Sequence, residues 1–346
     1  MSGIRHLPDP VVDLIESGVV ADFATVSSAG VPIDTPTYYF PSDDLKTVDV
    51  ATGLPQPAKA ERARRNPKVG LLIDGKADEP VVVIAGHAAV RDADLEANAI
   101  RYLSETGFKV ISFGLSWEEA RKAVHYWSRI IIENSPVRIL WWDSQSAMDG
   151  PPHVWDAPAG TVYPASDPEP LGRMEPSRWL PRPWQEVARE SASSPWRPSL
   201  TVLDDRGYPL PIRPRSFELV RDGFRLVVPS GVPWRCTGRG TITFAGVQTF
   251  VGEATGTNDA IFFEIERALP QLPSTKDSRE VLQPKEETLR NKMARLEHEA
   301  KRRRQSLPSI PLDEPPPTRL AKLRQARIAG DAPITGMVDA MRDRKS

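Results

Sequence analysis

Lys59 and Arg62 are the residues whose type and spacing point most directly to chemistry. Three positions apart on a helix, they project to one side, and Thr52-Gly53 precedes them at the end of an extended run. Two cations, a hydroxyl and the amides of a nearby loop can surround a phosphate through charge-assisted hydrogen bonds. Taken alone, such a pair on a short helix is more often a solvated face. Other chemistries find little support. The five histidines, His6, His87, His125, His153 and His298, fall singly with no metal-ligand spacing, so no metal site is expected. The one cysteine, Cys236, excludes an intrachain disulfide and a cysteine-based zinc cluster. There is no Gly-x-Gly-x-x-Gly after a strand, no Walker loop and no Gly-x-Ser-x-Gly elbow.

The elements that must position the pair can be read from pattern. Phe23–Ser28 and Pro32–Phe40 are β-rich runs on either side of a turn at Ser28-Ala29-Gly30. A second turn at Pro41–Asp44 leads to an expected strand over Leu45–Ala51, and then to Thr52-Gly53. Ala58 to about Arg65 reads as a basic helix, stopped by Asn66-Pro67, because the residue before proline is pushed out of helical conformation. Val69–Ile73 and Val81–Arg91 return as strands. Helices are expected over Pro10–Ser17, capped by Asp9, over Asp92–Glu105, and over Ser116–Trp127, which opens with a Ser116/Glu119 capping box. Arg129–Trp142 reads as a long bent strand broken at Pro136.

This order of elements resembles the FMN-binding split barrels of the pyridoxamine 5′-phosphate oxidase-like superfamily. The matching residues are Gly30, Pro32, Thr52, Lys59, Arg62, Asn66 and Pro67, and the likeness runs on through Val81–Arg91 to Trp142. The resemblance implies an α+β fold built on a mostly antiparallel six-stranded split β-barrel with flanking helices. It implies that Thr52, Gly53, Lys59 and Arg62 hold the ribityl phosphate of FMN, with a deazaflavin coenzyme or haem as alternatives. Trp127, just before the closing strand, is the aromatic residue expected nearest the cofactor. Tyr38, Tyr39, Trp141 and Trp142 are explained at least as well by packing. The lack of a catalytic triad suits a cofactor enzyme, in which the protein orients and encloses the group that reacts. No catalytic acid or base is identifiable.

The remainder of the chain divides by composition. Residues 1–148 form the expected first barrel and 149–183 a proline-rich linker, whose Trp155 and Trp179, with Trp184 just beyond, should lie against a barrel surface. Residues 184–275 read as a second, degenerate copy. Ala24–Phe40 aligns without a gap on Thr201–Phe217, placing Gly30 on Gly207, Pro32 on Pro209 and Phe40 on Phe217. A helix is expected over Pro183–Ser191, and strands over Phe224–Val228, Thr241–Phe244 and Val247–Ala254. Pro229 stands where the first copy has Thr52, and no Lys-x-x-Arg helix follows. The second copy is therefore expected to be structural, completing a dimer-like interface within one chain, although Arg235 and Arg239 could hold an anion. Residues 276–346 form a charged helical tail. Its basic run Lys301–Arg304, set among glutamates, reads as a solvated helix with a narrow docking stripe.

The 346 residues carry 45 basic and 46 acidic side chains, a net charge of −1, which favours neither nucleic acid nor a membrane surface. The N-terminus has no signal-peptide core and no apolar run reaches membrane-spanning length, so a soluble cytoplasmic protein is expected. The leading expectation is a flavin-dependent oxidoreductase acting on a small molecule, as a homodimer or an intrachain pseudo-dimer. The alternatives are a non-catalytic flavin- or haem-binding split barrel and, less favoured, an interaction protein using the C-terminal helix.

Overall fold

The structure, a computed structural model, describes residues 3–106, 115–175, 182–195, 197–245, 248–257, 260–270 and 279–330. After α1 (Asp9–Ser17) come β1 (Val20–Val26), β2 (Pro32–Pro41), β3 (Val48–Gly53), α2 (Ala58–Arg65), β4 (Lys68–Asp74) and β5 (Val81–Arg91). Then follow α3 (Leu95–Thr106), α4 (Trp117–Ala120), α5 (Val124–Trp127), β6 (Arg129–Trp142) and β7 (His153–Asp156). The antiparallel order β3-β2-β1-β4-β5-β6 closes on itself where β3 pairs with β6, making a six-stranded barrel. Closure removes the free sheet edges. Inward side chains such as Phe23, Val50, Leu71, Val82, Ile84 and Ile132 fill the barrel.

Local chemistry accounts for the departures from sequence expectation. Leu45 is not in a strand: at φ 56° it closes a turn, its N–H donating to the Ser42 carbonyl, so β3 starts later and contains Thr52 and Gly53. Asp9 is the first helical residue of α1 and its side chain caps nothing. The Ser116/Glu119 capping box forms, but Ala123 leaves helical geometry and splits the expected helix into α4 and α5. Pro136, which has no N–H to give, sits beside the one irregularity in the β5–β6 ladder, and β6 stays continuous around it.

The second half comprises α6 (Trp184–Ala192), β8 (Pro198–Leu203), β9 (Pro209–Ile212), β10 (Ser216–Val220), β11 (Gly223–Val227), β12 (Gly238–Phe244), β13 (Gln248–Thr257) and β14 (Ala260–Ala268). Its sheet runs β10-β11-β14-β13-β12-β8-β9. Taken around the ring, that is the strand order of the first barrel, with the second strand broken between Ile212 and Ser216. The sequence pattern had left β14 unread, and Val247 lies outside the described residues. Shifting by 177 positions, which carries Pro32 onto Pro209, reproduces the first hairpin residue for residue. Val26↔Pro32 becomes Leu203↔Pro209, and Phe23↔Thr35 becomes Leu200↔Ile212. Gly30 and Gly207 take the same left-handed turn at φ 74° and 79°, where a side chain would be strained. The architecture is a closed barrel plus a second half-barrel sheet, consistent with two tandem copies.

The halves pack reciprocally. β4 lies on β9 and β12 on β2, while β1 meets β9 and β8 meets β2. Because β9 stands for β2, β8 for β1 and β12 for β4, this is the pattern of a two-fold interface made within one chain. At its centre a Cβ on Gly70 would stand 1.6 Å from the Pro209 carbonyl oxygen, so no other residue allows the strands this close. The Arg213 guanidinium is forked between Asp22 and Asp74, all three side chains nearly buried. The Ser199 hydroxyl donates to Asp34 across the same junction (2.6 Å).

Beyond the second sheet lie α7 (Arg279–Leu282), α8 (Glu286–Arg302) and α9 (Arg319–Gly330). The reading of a solvated basic run holds for Lys301 and Arg304, which are exposed, and fails for Arg302 and Arg303. Arg302 and Arg303, with side chains 7% and 2% exposed, pair with Glu61, Glu299 and Asp92, while Leu296 and Ala300 join the first barrel's core. The residues after the first barrel also return to it: β7 pairs with β6, and Asp167 accepts from the Asp92 and Ala93 amides. Trp155 packs against the first core and Trp184 against the second; Trp179 lies outside the described residues.

Candidate functional site

α2 covers β1 and brings the predicted pair inward. Lys59 is 9% exposed, its ammonium 5.9 Å from the centroid of the Phe23 ring. Arg62 donates from Nε to the Thr25 hydroxyl (2.8 Å). Among the described residues Lys59 has no carboxylate at ion-pairing distance. Burial pushes its ammonium down to about 7; Arg62 and Arg129 push the same way and Asp34 opposes them. Arg62 is lowered to about 10 by burial and by Arg65. Asp34, 1% exposed, is pushed up to about 7 by burial and by Asp22, and its Oδ1 is buried without a partner.

Strand pairing adds a cation that sequence spacing did not reveal. Gly53 stands opposite Arg129 in the β3–β6 ladder, and a Cβ there would lie 3.4 Å from Arg129 Nη1. The Arg129 guanidinium lies 4.3 Å from the ring centroids of both Tyr102 and Tyr126, a cation–π arrangement, and its Nε is buried with no acceptor. Lys292, on α8, is lowered by burial and by Arg129. His125 is pushed down to about 4 by burial and by Lys292, so it is neutral near pH 7. The Arg295 Nε donates to the Pro55 carbonyl (2.8 Å), which lays α8 over the loop between β3 and α2.

Thr52 and Gly53 pair with the strand that carries Arg129, and Thr52 spends its hydroxyl hydrogen on the Gln56 carbonyl (3.1 Å), shaping the loop. Trp127 is fully buried, packed among Trp117, Tyr102 and Tyr126, with its indole N–H donated to the Ala120 carbonyl. In this conformation it supports Tyr126 and presents no face to a ligand. No cluster of three or more metal-ligating side chains occurs among the described residues, and no helix there is long and apolar enough to cross a membrane. A buried ammonium with no ion-paired carboxylate and an orphaned guanidinium nitrogen fit a phosphate, whose oxygens supply the missing acceptors.

No family model and no curated protein matches the chain. Solved structures similar to part of it are pyridoxamine 5′-phosphate oxidase-like and general stress protein 26 proteins. General Stress Protein 26 from Bacillus anthracis is 17% identical, with 43% of this chain and 97% of that chain covered at a TM-score of 0.29. A pyridoxamine 5′-phosphate oxidase-related, FMN-binding protein from Nostoc punctiforme is 13% identical over 40% and 85% at 0.30. A protein related to general stress protein 26 from Clostridium acetobutylicum is 14% identical over 42% and 89% at 0.31. The description of this chain as a split barrel rests on its own strand order and closure.

Proposed function

We propose that the first barrel binds FMN through its phosphate and that the chain is a flavin-dependent oxidoreductase acting on a small molecule. The observation that carries this reading is Lys59, buried beside Arg62 and Arg129 without an ion-pairing carboxylate. Lys59 and Arg62 would hold the phosphate, Gly53 would let the backbone approach it, and Arg129 would add charge from β6. The flavin, when bound, supplies hydride chemistry. The chain orients it and keeps water away, with the second half in the place that a partner subunit would take. A deazaflavin coenzyme would use the same cations.

The test is an absorption spectrum of the purified protein followed by titration with FMN, the deazaflavin coenzyme and haem. A bound or tightly titrating flavin supports the proposal; a haem band, or no uptake of any of the three, ends it. Replacing both Lys59 and Arg62 with Ala should abolish retention, since each charge-assisted bond contributes about 1.5–3 kcal/mol. A circular-dichroism spectrum unchanged from wild type would separate lost binding from lost fold. A second reading, a flavin holder without turnover, is favoured by α8 lying across the loop beside the site. A loaded protein that oxidises no reduced nicotinamide and reduces no acceptor would select it.

A further inference from the structure

The shift of 177 positions that superposes the first hairpins sets Val20 on Arg197, Pro36 on Arg213 and Tyr38 on Arg215. Through the pairing of β4 with β1 and β12 with β8, Asp74 corresponds to Ala245. The two-fold-related corners of the interface are therefore built from different chemistry. At one corner Val20, Tyr38 and Ala245 meet in a small apolar cluster with Val19. At the other, Arg197, Arg213, Arg215 and Asp74 line a cleft of about 590 Å³ between the two halves. Its walls are completed by Val81 and Met148 from the first half and Pro229 from the second.

The three arginines are not equivalent. Arg213 is committed to Asp22 and Asp74, and Arg215 to Asp149 at the rim. Arg197 donates to the Gln145 side chain (3.0 Å) and the Pro214 carbonyl (3.0 Å) and has no carboxylate partner among the described residues. Ser144 and Ser146, whose hydroxyls are hydrogen-bonded to each other (2.9 Å), also line the cleft, as does the exposed Asp78. The volume falls within the roughly 300–1,000 Å³ of small-molecule sites, and the lining is mostly polar and charged, with Ala77, Val81, Met148 and Pro229 as its apolar part. A guanidinium held by neutral acceptors keeps donors for a planar or tetrahedral anion.

The geometry points to a second ligand site in this cleft, for a small organic anion whose carboxylate or phosphate is received by Arg197 and whose apolar body lies against Val81, Met148 and Pro229. It uses none of the cations of the first barrel's site and stands whether or not that site takes FMN. Phenyl phosphate and benzoate are suitable probes, titrated calorimetrically into the full chain. At millimolar concentration at least one binds the wild type, phenyl phosphate if the phosphate geometry is preferred and benzoate if the carboxylate is. Arg197→Gln weakens that binding about tenfold or more, and Arg197→Lys, which keeps charge but loses the fork, falls between. Lys59→Met, which removes a cation from the first site, keeps this Arg197-dependent binding. No binding of either probe to wild type overturns the proposal, as does binding to Lys59→Met that survives when Arg197→Gln is added and the protein stays folded. Binding lost in Lys59→Met but kept in Arg197→Gln would place the anion on the first barrel and equally overturn it.

Discussion

Lys59 and Asp34 titrate toward each other, both at about 7, and this sets a pH dependence for the first site. Below that pH Lys59 is charged and Asp34 neutral, the combination that attracts an anion; above it both conditions reverse. Phosphate or FMN affinity should therefore fall as pH rises from 6 to 8, measured by fluorescence titration at constant ionic strength. Because the phosphate's own second ionisation, at about 6, opposes this trend, the comparison is with Lys59→Met: a profile the same in both proteins would mean that Lys59 is not a ligand. The sign for stability without ligand follows from linkage. Between about 7 and 10.5 the unfolded chain holds the lysine proton and the folded one does not, so this group makes stability rise with pH across that window. Asp34 does the opposite between 3.8 and about 7, where the folded state keeps a proton that the unfolded state has lost. Lys59→Met should raise the melting temperature of the ligand-free protein near pH 7 while weakening anion binding, which a purely structural lysine would not do. The spacing of Lys59 and Arg62 was legible in the sequence because it is local. Arg129 was not, because only the β3–β6 ladder brings it opposite Gly53. Asp34 was invisible for the same reason: its neighbours Asp22 and Ser199 come from another strand and from the other half.

At the scale of elements, the strands were the most readable part, since alternation, turns and Asn-Pro punctuation are encoded side by side. Boundaries moved where a single residue took an unexpected conformation, as at Leu45 and Ala123. The apolar stripe of the tail helix docks as its spacing implies, but the basic run divides, because charge along a helix says nothing of its partner: Glu61 and Asp92, far away in sequence, bury Arg302 and Arg303 while Lys301 and Arg304 stay exposed. α8 is thus part of the first barrel. Leu296→Ala, at a fully buried position, should destabilise by about 2–5 kcal/mol in chemical denaturation. Glu61→Ala should cost about 1–3 kcal/mol, less than a stranded buried charge would, because Arg302 keeps Glu299 and Arg303 keeps Glu299 and Asp92. A much smaller loss would show that solvent reaches them once Glu61 is gone.

For the molecule as a whole, reciprocal packing of the halves makes their stabilities inseparable. Gly70→Ala sets a methyl against the Pro209 carbonyl and should loosen both halves in one transition, followed by calorimetry. Two separate transitions would argue against a shared interface. The repeat was visible through one hairpin, whose turn glycines carry a local signature. The ring order was not, because the broken second strand and the unread β14 hide it. Joining the halves in one chain has a consequence for dilution and for drift. The tether holds each half at a high local concentration about the other, so their association does not depend on how much protein is present. A substitution in an identical pair of subunits is felt twice, at both corners of the interface. Here it is felt once, so Val20 and Arg197 answer to separate demands while the frame between them stays paired.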